Sequence, residues 1–243
     1  MFFTTVPSIT SIKNNTYLLR HSMRVIIMAA GIGSRFNNLS KAFLSINDRP
    51  IIERMVAQLK KYGLGPIFIV VGHEAERFLT LREVVLIPNV DFRDGDNAQG
   101  LKVALDTIGF EDTLILDADL VLSEGALQPL LDSYHRHKES VSLADLSFSD
   151  EEAMKLVIKD DRIVEYSKEH GMGAEVCTLV TAEVLRDIYP DLSRLRWWGV
   201  GVGKDKLSPR VAALNDDAQW IEIDTPQDYE KAKVLFTEPL NAP

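Results

Sequence analysis

Between Met23 and Leu116 the chain repeats one pattern: a short run of β-branched and apolar residues, an amphipathic stretch of helix length, then another run. That alternation constrains the fold more than any other feature. Successive parallel strands need crossovers long enough to hold a helix, and those helices then cover both faces of the sheet. Residues 24–29, 66–71, 84–87 and 113–116 read as buried strands. Residues 51, 52, 55, 56 and 59 form a helical apolar stripe that opens at Pro50 and stops at Gly63. A second helix is predicted over 98–108. From about residue 139 the pattern loosens: 140–146, 154–158 and 163–166 read as strands, with Asp160-Asp161 as a hairpin turn. The chain closes with a strand at 220–223 and a helix at 226–235. The expected fold is α/β, a Rossmann-like, mostly parallel sheet flanked by helices, with a smaller, partly antiparallel lobe over about 140–215.

A length of 243 residues and a hydrophobic fraction of 46% suffice for one substantial core. The formal net charge of −9 weighs against broad attachment to nucleic acid or anionic lipid, both of which need dense basic patches. Small phosphorylated ligands remain open, since they need only a few well-placed cations. No stretch reaches the roughly 18 apolar residues of a membrane span. Residues 1–22 precede the second methionine, Met23, and lack an apolar signal core; a loosely ordered extension or an upstream start is expected there, with a short amphipathic targeting peptide as the alternative. Cys177 is the single cysteine. It excludes an intramolecular disulfide, suits a reducing cytoplasm, and reads as a structural thiol inside the apolar run 176–180. His73, His135, His137 and His170 lack ligand spacing, so no zinc site is expected.

Two motifs carry chemistry. Ala29-Ala30-Gly31-Ile32-Gly33-Ser34-Arg35-Phe36 follows the first strand, where small residues let backbone N–H groups surround a phosphate chain and Arg35 supplies a forked cation. A plain strand-to-helix turn fits the same glycines. A dinucleotide fingerprint is disfavoured by Phe36 at the third glycine position, and a Walker loop by the missing Gly-Lys-Ser/Thr. Asp117 and Asp119 end the strand at 113–116 and share a face in extended structure. Paired carboxylates there suit a hard cation; a solvated turn or helix cap is the alternative.

The segments MAAGIGSRF and SKAFLSINDRPIIERMVAQL together resemble the start of the nucleotidyltransferases that activate sugar phosphates, phosphocholine and related compounds. The resemblance implies that Ala29, Ala30, Gly31, Gly33, Ser34 and Arg35 wrap a nucleoside triphosphate, and that Lys41, ahead of an expected 42–44 strand, meets its phosphates. It places the Mg2+-binding aspartate at Asp119, with Asp117 in support on the nucleotide side. The closing segment WIEIDTPQDY resembles that of bacterial-type choline-phosphate cytidylyltransferases and offers Asp224 as a second metal ligand; a helix-cap role is the alternative. Asn97, Gln99 and Gly100 fall in the base-recognition segment 94–101, which departs from both the Gly-Thr-Ala and the Asn-Asn-aromatic patterns of that family. Lys168, followed by Glu175 on another strand, matches the lysine that meets the acceptor phosphate, or is a surface lysine. Trp197-Trp198, beside Gly199, Gly201 and Gly203, reads either as packing or as an aromatic rim for a quaternary ammonium.

The resemblance thus implies a Mg2+-dependent enzyme, with Arg35, Lys41 and Lys168 as catalytic cations. It would transfer a nucleotidyl group, CMP from CTP by preference, to a small phosphorylated or phosphonate metabolite and release pyrophosphate. A sugar-1-phosphate nucleotidyltransferase using another base and a non-catalytic nucleotide-binding protein are the alternatives. Residues 23–243 are expected to form the transferase domain, with the acceptor bound by the 140–215 lobe, and a homodimer is compatible with the sequence.

Overall fold

The computed structural model describes residues 23–93, 96–147, 153–200 and 206–237. The expectations for residues 1–22, for Asp94 and Gly95, and for Gly201 and Gly203 lie outside the described residues.

In chain order the elements are β1 (Arg24–Ala29), β2 (Ser45–Ile46), β3 (Arg49–Pro50), α1 (Ile51–Lys61), β4 (Ile67–Val71), β5 (Val85–Pro88), α2 (Asn97–Ile108), β6 (Thr113–Asp117), β7 (Leu120–Leu122), α3 (Gln128–His137), β8 (Val141–Asp145), β9 (Lys155–Lys159), β10 (Arg162–Ser167), β11 (Ala174–Val180), α4 (Ala182–Ile188), β12 (Arg210–Ala213), β13 (Trp220–Glu222) and α5 (Pro226–Leu235). Nine strands form one sheet in the order β5-β4-β1-β6-β11-β8-β12-β10-β9. Four parallel strands make its first half. The stretch 140–215 continues the same sheet, and antiparallel pairing enters where β11 meets β6. Among the described strands of this sheet, β11 and β10 run against the others.

The period of two along each parallel strand explains why the sheet is covered on both sides. Val25, Ile27 and Ala29 of β1 join Ile52, Met55 and Leu59 of α1 in one core, together with Leu130 and Leu131 of α3. Ile26, between them, faces the second core with Ala98, Leu101 and Leu105 of α2 and Leu185 and Ile188 of α4. α1 has Glu53 in its first turn and Lys60 and Lys61 in its last, matching the helix dipole at both ends.

One local expectation is corrected. Residues 42–44 form no strand: Lys41–Phe43 is a 3-10 turn, and the short hairpin β2–β3 follows it. Ala42 is buried, Phe43 packs edge-on against Phe78, and the turn is closed by Leu44 N–H donating to the Lys41 carbonyl. An apolar run of three cannot by itself distinguish a strand from a buried turn.

A third, smaller core fastens the last segment to the glycine loop. Phe36 packs with Ile46, Ile51, Val121, Ile223, Ala232 and Phe236, so the aromatic that argues against a dinucleotide fingerprint is an anchor here. α5 begins with a capping box in which the Thr225 side chain accepts from Asp228 N–H and the Asp228 carboxylate accepts from Thr225 N–H. Among the described residues no helix is long and apolar enough to cross a membrane. Because the box fixes the chain one residue beyond Asp224, Thr225→Ala should cost about 1 kcal/mol and lower the thermal midpoint by about 2–4 °C. Thr225→Ser should retain most of the stability, and calorimetric unfolding checks both.

Candidate active site

A cavity of about 440 Å3 opens at the carboxyl ends of β1 and β6, where open α/β sheets present their ligands. Its floor is the glycine loop. Gly33 has φ +68°, and a Cβ there would lie 2.0 Å from the Leu39 carbonyl oxygen, so the turn itself demands glycine. Gly31 is different: a Cβ would meet nothing within 4 Å. Among the described residues no packing requires that glycine, which leaves room for a ligand to approach the backbone. Ser34 and Arg35 line an adjoining groove with Lys41, Lys168 and Asp224.

The acids converge through a two-stranded ladder. β6 delivers Asp117 beside Met28 of β1, and Ala118 N–H donates to the Met28 carbonyl at 3.0 Å. The chain then turns into β7, which pairs antiparallel with β13 so that Glu222 faces Leu120, and Ile223 N–H donates to the Asp119 carbonyl at 3.1 Å. Asp119, Glu222 and Asp224, more than 100 positions apart at the extremes, thereby bring carboxylate oxygens within 4.8 Å of one another.

Such crowding is costly. Two ionised carboxylates at that separation repel by about 3 kcal/mol at an effective dielectric of about 20. Lys41 offsets part of this: its ammonium pairs with Asp119 and lies 3.0 Å from Asp224 Oδ1. Burial works against the Lys41 charge, but Asp119 and Asp224 outweigh it and hold the amine well above its ordinary range. One ammonium cannot neutralise three acids. Protein crowding, then Asp119, Asp117 and Asp224, push Glu222 well above the usual carboxyl range. Since solvent reaches its side chain, the like charges are the lasting part of that shift. Burial, Asp119 and Glu175 raise Asp117 to about 8, while Asn97 Nδ2 donates to its Oδ1 at 3.0 Å.

Among the described residues two polar atoms in this cavity are buried without a partner: Asp119 Oδ1 and Asn97 Oδ1. Both are acceptors, and a carboxylate oxygen left bare beside two further carboxylates is suited to a cation with oxygen ligands. The acidic cluster is therefore a site that fits a divalent metal.

Of the residues singled out in the sequence, Ala29, Ala30, Gly31, Gly33, Lys41, Asn97, Gly100, Asp117, Asp119, Lys168 and Asp224 line the cavity. Gly100 lets α2 pack closely, since a Cβ would fall 2.6 Å from Met28 Cε. Gln99, one position earlier on α2, lines neither the cavity nor the groove. The two tryptophans divide: Trp198 is buried and stacks on Trp197, whereas Trp197 reaches the cavity and meets Tyr166 edge-on. Glu222 is the residue that the sequence reading passed over as part of a strand. The signal was present, because Glu222 and Asp224 are two apart in extended structure, just as Asp117 and Asp119 are.

Carboxyls raised by burial, as Glu175 is, or by burial and like charge, as Asp117 is, bind protons more tightly when folded than when unfolded. The stability they contribute is full below the unfolded carboxyl range near 4 and is lost as pH rises through their folded values, about 7 for Glu175 and about 8 for Asp117. The metal-free protein should therefore lose stability steadily from about pH 5 to pH 8. Asp117→Asn should flatten that slope, as read from denaturant midpoints across the range.

Residues 25–183 match the family of the MobA-like NTP transferase domain. The chain is 33% identical over 143 residues to the 2-aminoethylphosphonate cytidylyltransferase of Lancefieldella rimae, a stretch that covers 54% of this chain and 58% of that protein. It is 34% identical over 104 residues to the choline-phosphate cytidylyltransferase of Streptococcus pneumoniae, covering 40% and 44%. The chain thus spans about half the length of the curated relatives it matches. The solved CTP:phosphocholine cytidylyltransferase of Streptococcus pneumoniae superimposes with a TM-score of 0.71 at 22% identity, over 89% of this chain and 100% of that one, a likeness of fold. With the family match running from β1 through the glycine loop and the aspartate pair to β11, this chain belongs to the MobA-like NTP transferase domain family.

Proposed function

We propose that the protein is a cytosolic nucleotidyltransferase that moves CMP from CTP to a small phosphorylated or phosphonate acceptor and releases pyrophosphate. The observation that carries this reading is the convergence of Asp119, Glu222 and Asp224 with Lys41 at one end of a cavity floored by the glycine loop. Resemblance to two cytidylyltransferases supports the choice of CTP. So does the unpartnered Asn97 Oδ1, an acceptor for the exocyclic amine of cytosine.

In this reading Asp119, Asp224 and Glu222 hold Mg2+, which when bound would neutralise charge on the reacting phosphates. The chain's own residues do the rest. Backbone N–H groups of 30–34 and the Arg35 guanidinium hold the triphosphate, and the open face at Gly31 admits it. Lys41, already charged and poised at the acids, turns to the β- and γ-phosphates as negative charge builds on the departing pyrophosphate. Lys168, which lines both the cavity and the groove, holds the acceptor's phosphoryl or phosphonyl group. No residue need act as a base: the acceptor oxygen is anionic at neutral pH, attacks the α-phosphorus in line, and the bond to the bridging oxygen breaks.

Pyrophosphate release measured across four nucleoside triphosphates and a panel of amino-alcohol phosphates, phosphonates, polyol phosphates and sugar 1-phosphates tests the reading. Turnover should be greatest with CTP and a non-sugar acceptor. Best turnover with a sugar 1-phosphate and another base would replace this reading with a sugar-nucleotide one, and nucleotide binding without turnover for any acceptor would make the protein a non-catalytic binder. Asp119→Ala should lower kcat about 100- to 1,000-fold, equivalent to about 2.7–4 kcal/mol of barrier.

A further inference from the structure

Among the described residues six carboxylates line the cavity, and five have an evident partner or role. Asp119, Glu222 and Asp224 form the acidic cluster, Asp117 accepts from Asn97, and Asp96 pairs with Arg196 at 3.2 Å. The sixth is Glu175, on β11. One of its oxygens, Oε1, accepts from the Thr178 hydroxyl at 2.9 Å. Thr178 is itself tied to Ser142, so this contact fixes the carboxylate in place without supplying a charge. Among the described residues no ion pair is formed by Glu175; Lys168 acts on it only through space. Once ionised, a half-buried carboxylate on the wall of a cavity that would admit an anionic acceptor repels that acceptor, unless the acceptor carries a positive group of its own, which would also draw the raised Glu175 carboxyl toward its charged form.

We propose that Glu175 is a specificity-determining residue that binds an N–H-bearing ammonium group on the acceptor, at the end remote from its phosphoryl or phosphonyl group. The proposal rests on the nucleotidyltransferase reading above and names its acceptor class: a zwitterion with a primary amine and a phosphate or phosphonate. Lys168 takes the anionic end and Glu175 the cationic end, two opposite charges on one cavity wall. A quaternary ammonium fits less well. It donates no hydrogen bond and is normally held in a cage of several aromatic faces. The only aromatics on this cavity among the described residues are Phe92, beside His73 at the nucleotide end, and Trp197, which already stacks on Trp198 and meets Tyr166.

The test compares 2-aminoethylphosphonate, ethylphosphonate and phosphocholine as acceptors for the unmutated protein and for Glu175→Gln, which keeps size and shape; matching thermal unfolding of the two proteins confirms the fold. The unmutated protein should prefer the amine over its des-amino counterpart by about 10- to 100-fold in kcat/KM, the range of a charge-assisted hydrogen bond, mostly through KM. Glu175→Gln should abolish the preference and leave ethylphosphonate unchanged or improved. Equal loss for both phosphonates, which is what a role in positioning Lys168 predicts, would overturn the proposal, as would a preference for phosphocholine that survives the substitution. Calorimetric titration of both proteins with the two phosphonates, in EDTA with and without CTP, needs no turnover. If no acceptor is converted, the transferase reading fails, and the titration still decides whether Glu175 selects the amine.

Discussion

The structure turns on three mutually repelling carboxylates held together by backbone. The β7–β13 ladder places Asp119, Glu222 and Asp224 within 4.8 Å of one another, and side-chain chemistry alone would drive them apart. The restraint comes from three directions. Ladder hydrogen bonds fix the strands, the small core around Phe36 binds β7, β13 and α5 to the glycine loop, and the capping box at Thr225 sets the chain's exit. Lys41 relieves part of the strain by sitting between Asp119 and Asp224. The free site is therefore pre-organised but electrostatically unsatisfied, with raised carboxyls at Glu222 and Asp117. On the reading proposed above, a divalent cation and a polyanionic ligand together would resolve what neither resolves alone: the cation would answer the acids, and the phosphates would answer Lys41 once it leaves those acids.

The parallel half of this arrangement was legible in sequence because both faces of its strands are buried, which produces uninterrupted β-branched runs that mark their own ends. β1, β4 and β6 were read that way, and the acids at the end of β6 stood out against them. β7 was invisible: Leu120-Val121-Leu122 follows the acids at once, and three apolar residues carry no period. α3 was missed because only Leu130 and Leu131 are buried along it, too few for a stripe. Glu222 was missed for a different reason. Its place in the acidic cluster arises only from the pairing of β13 with β7, a long-range contact that local pattern does not encode. Gln99 is the opposite case: the segment pattern puts it beside Asn97, but one position along α2 it is not among the residues that line the cavity.

The two halves of the sheet supply the two ends of the cavity, and the change in strand direction explains how. Because β11 runs antiparallel to β6, with Thr178 opposite Ile115, the start of β11 lies at the level where β6 ends. Glu175 and Asp117 thus share one rim although one begins its strand and the other ends it, and Glu175 is among the charges that raise Asp117. A wholly parallel sheet would offer only strand ends and helix starts at that rim, which suit phosphates and metal. Reversing one strand adds a rim position without a helix N-terminus behind it. On the reading proposed above, a carboxylate standing there would remain available for a cation, so that an acceptor's far end could be read independently of the phosphate-binding elements.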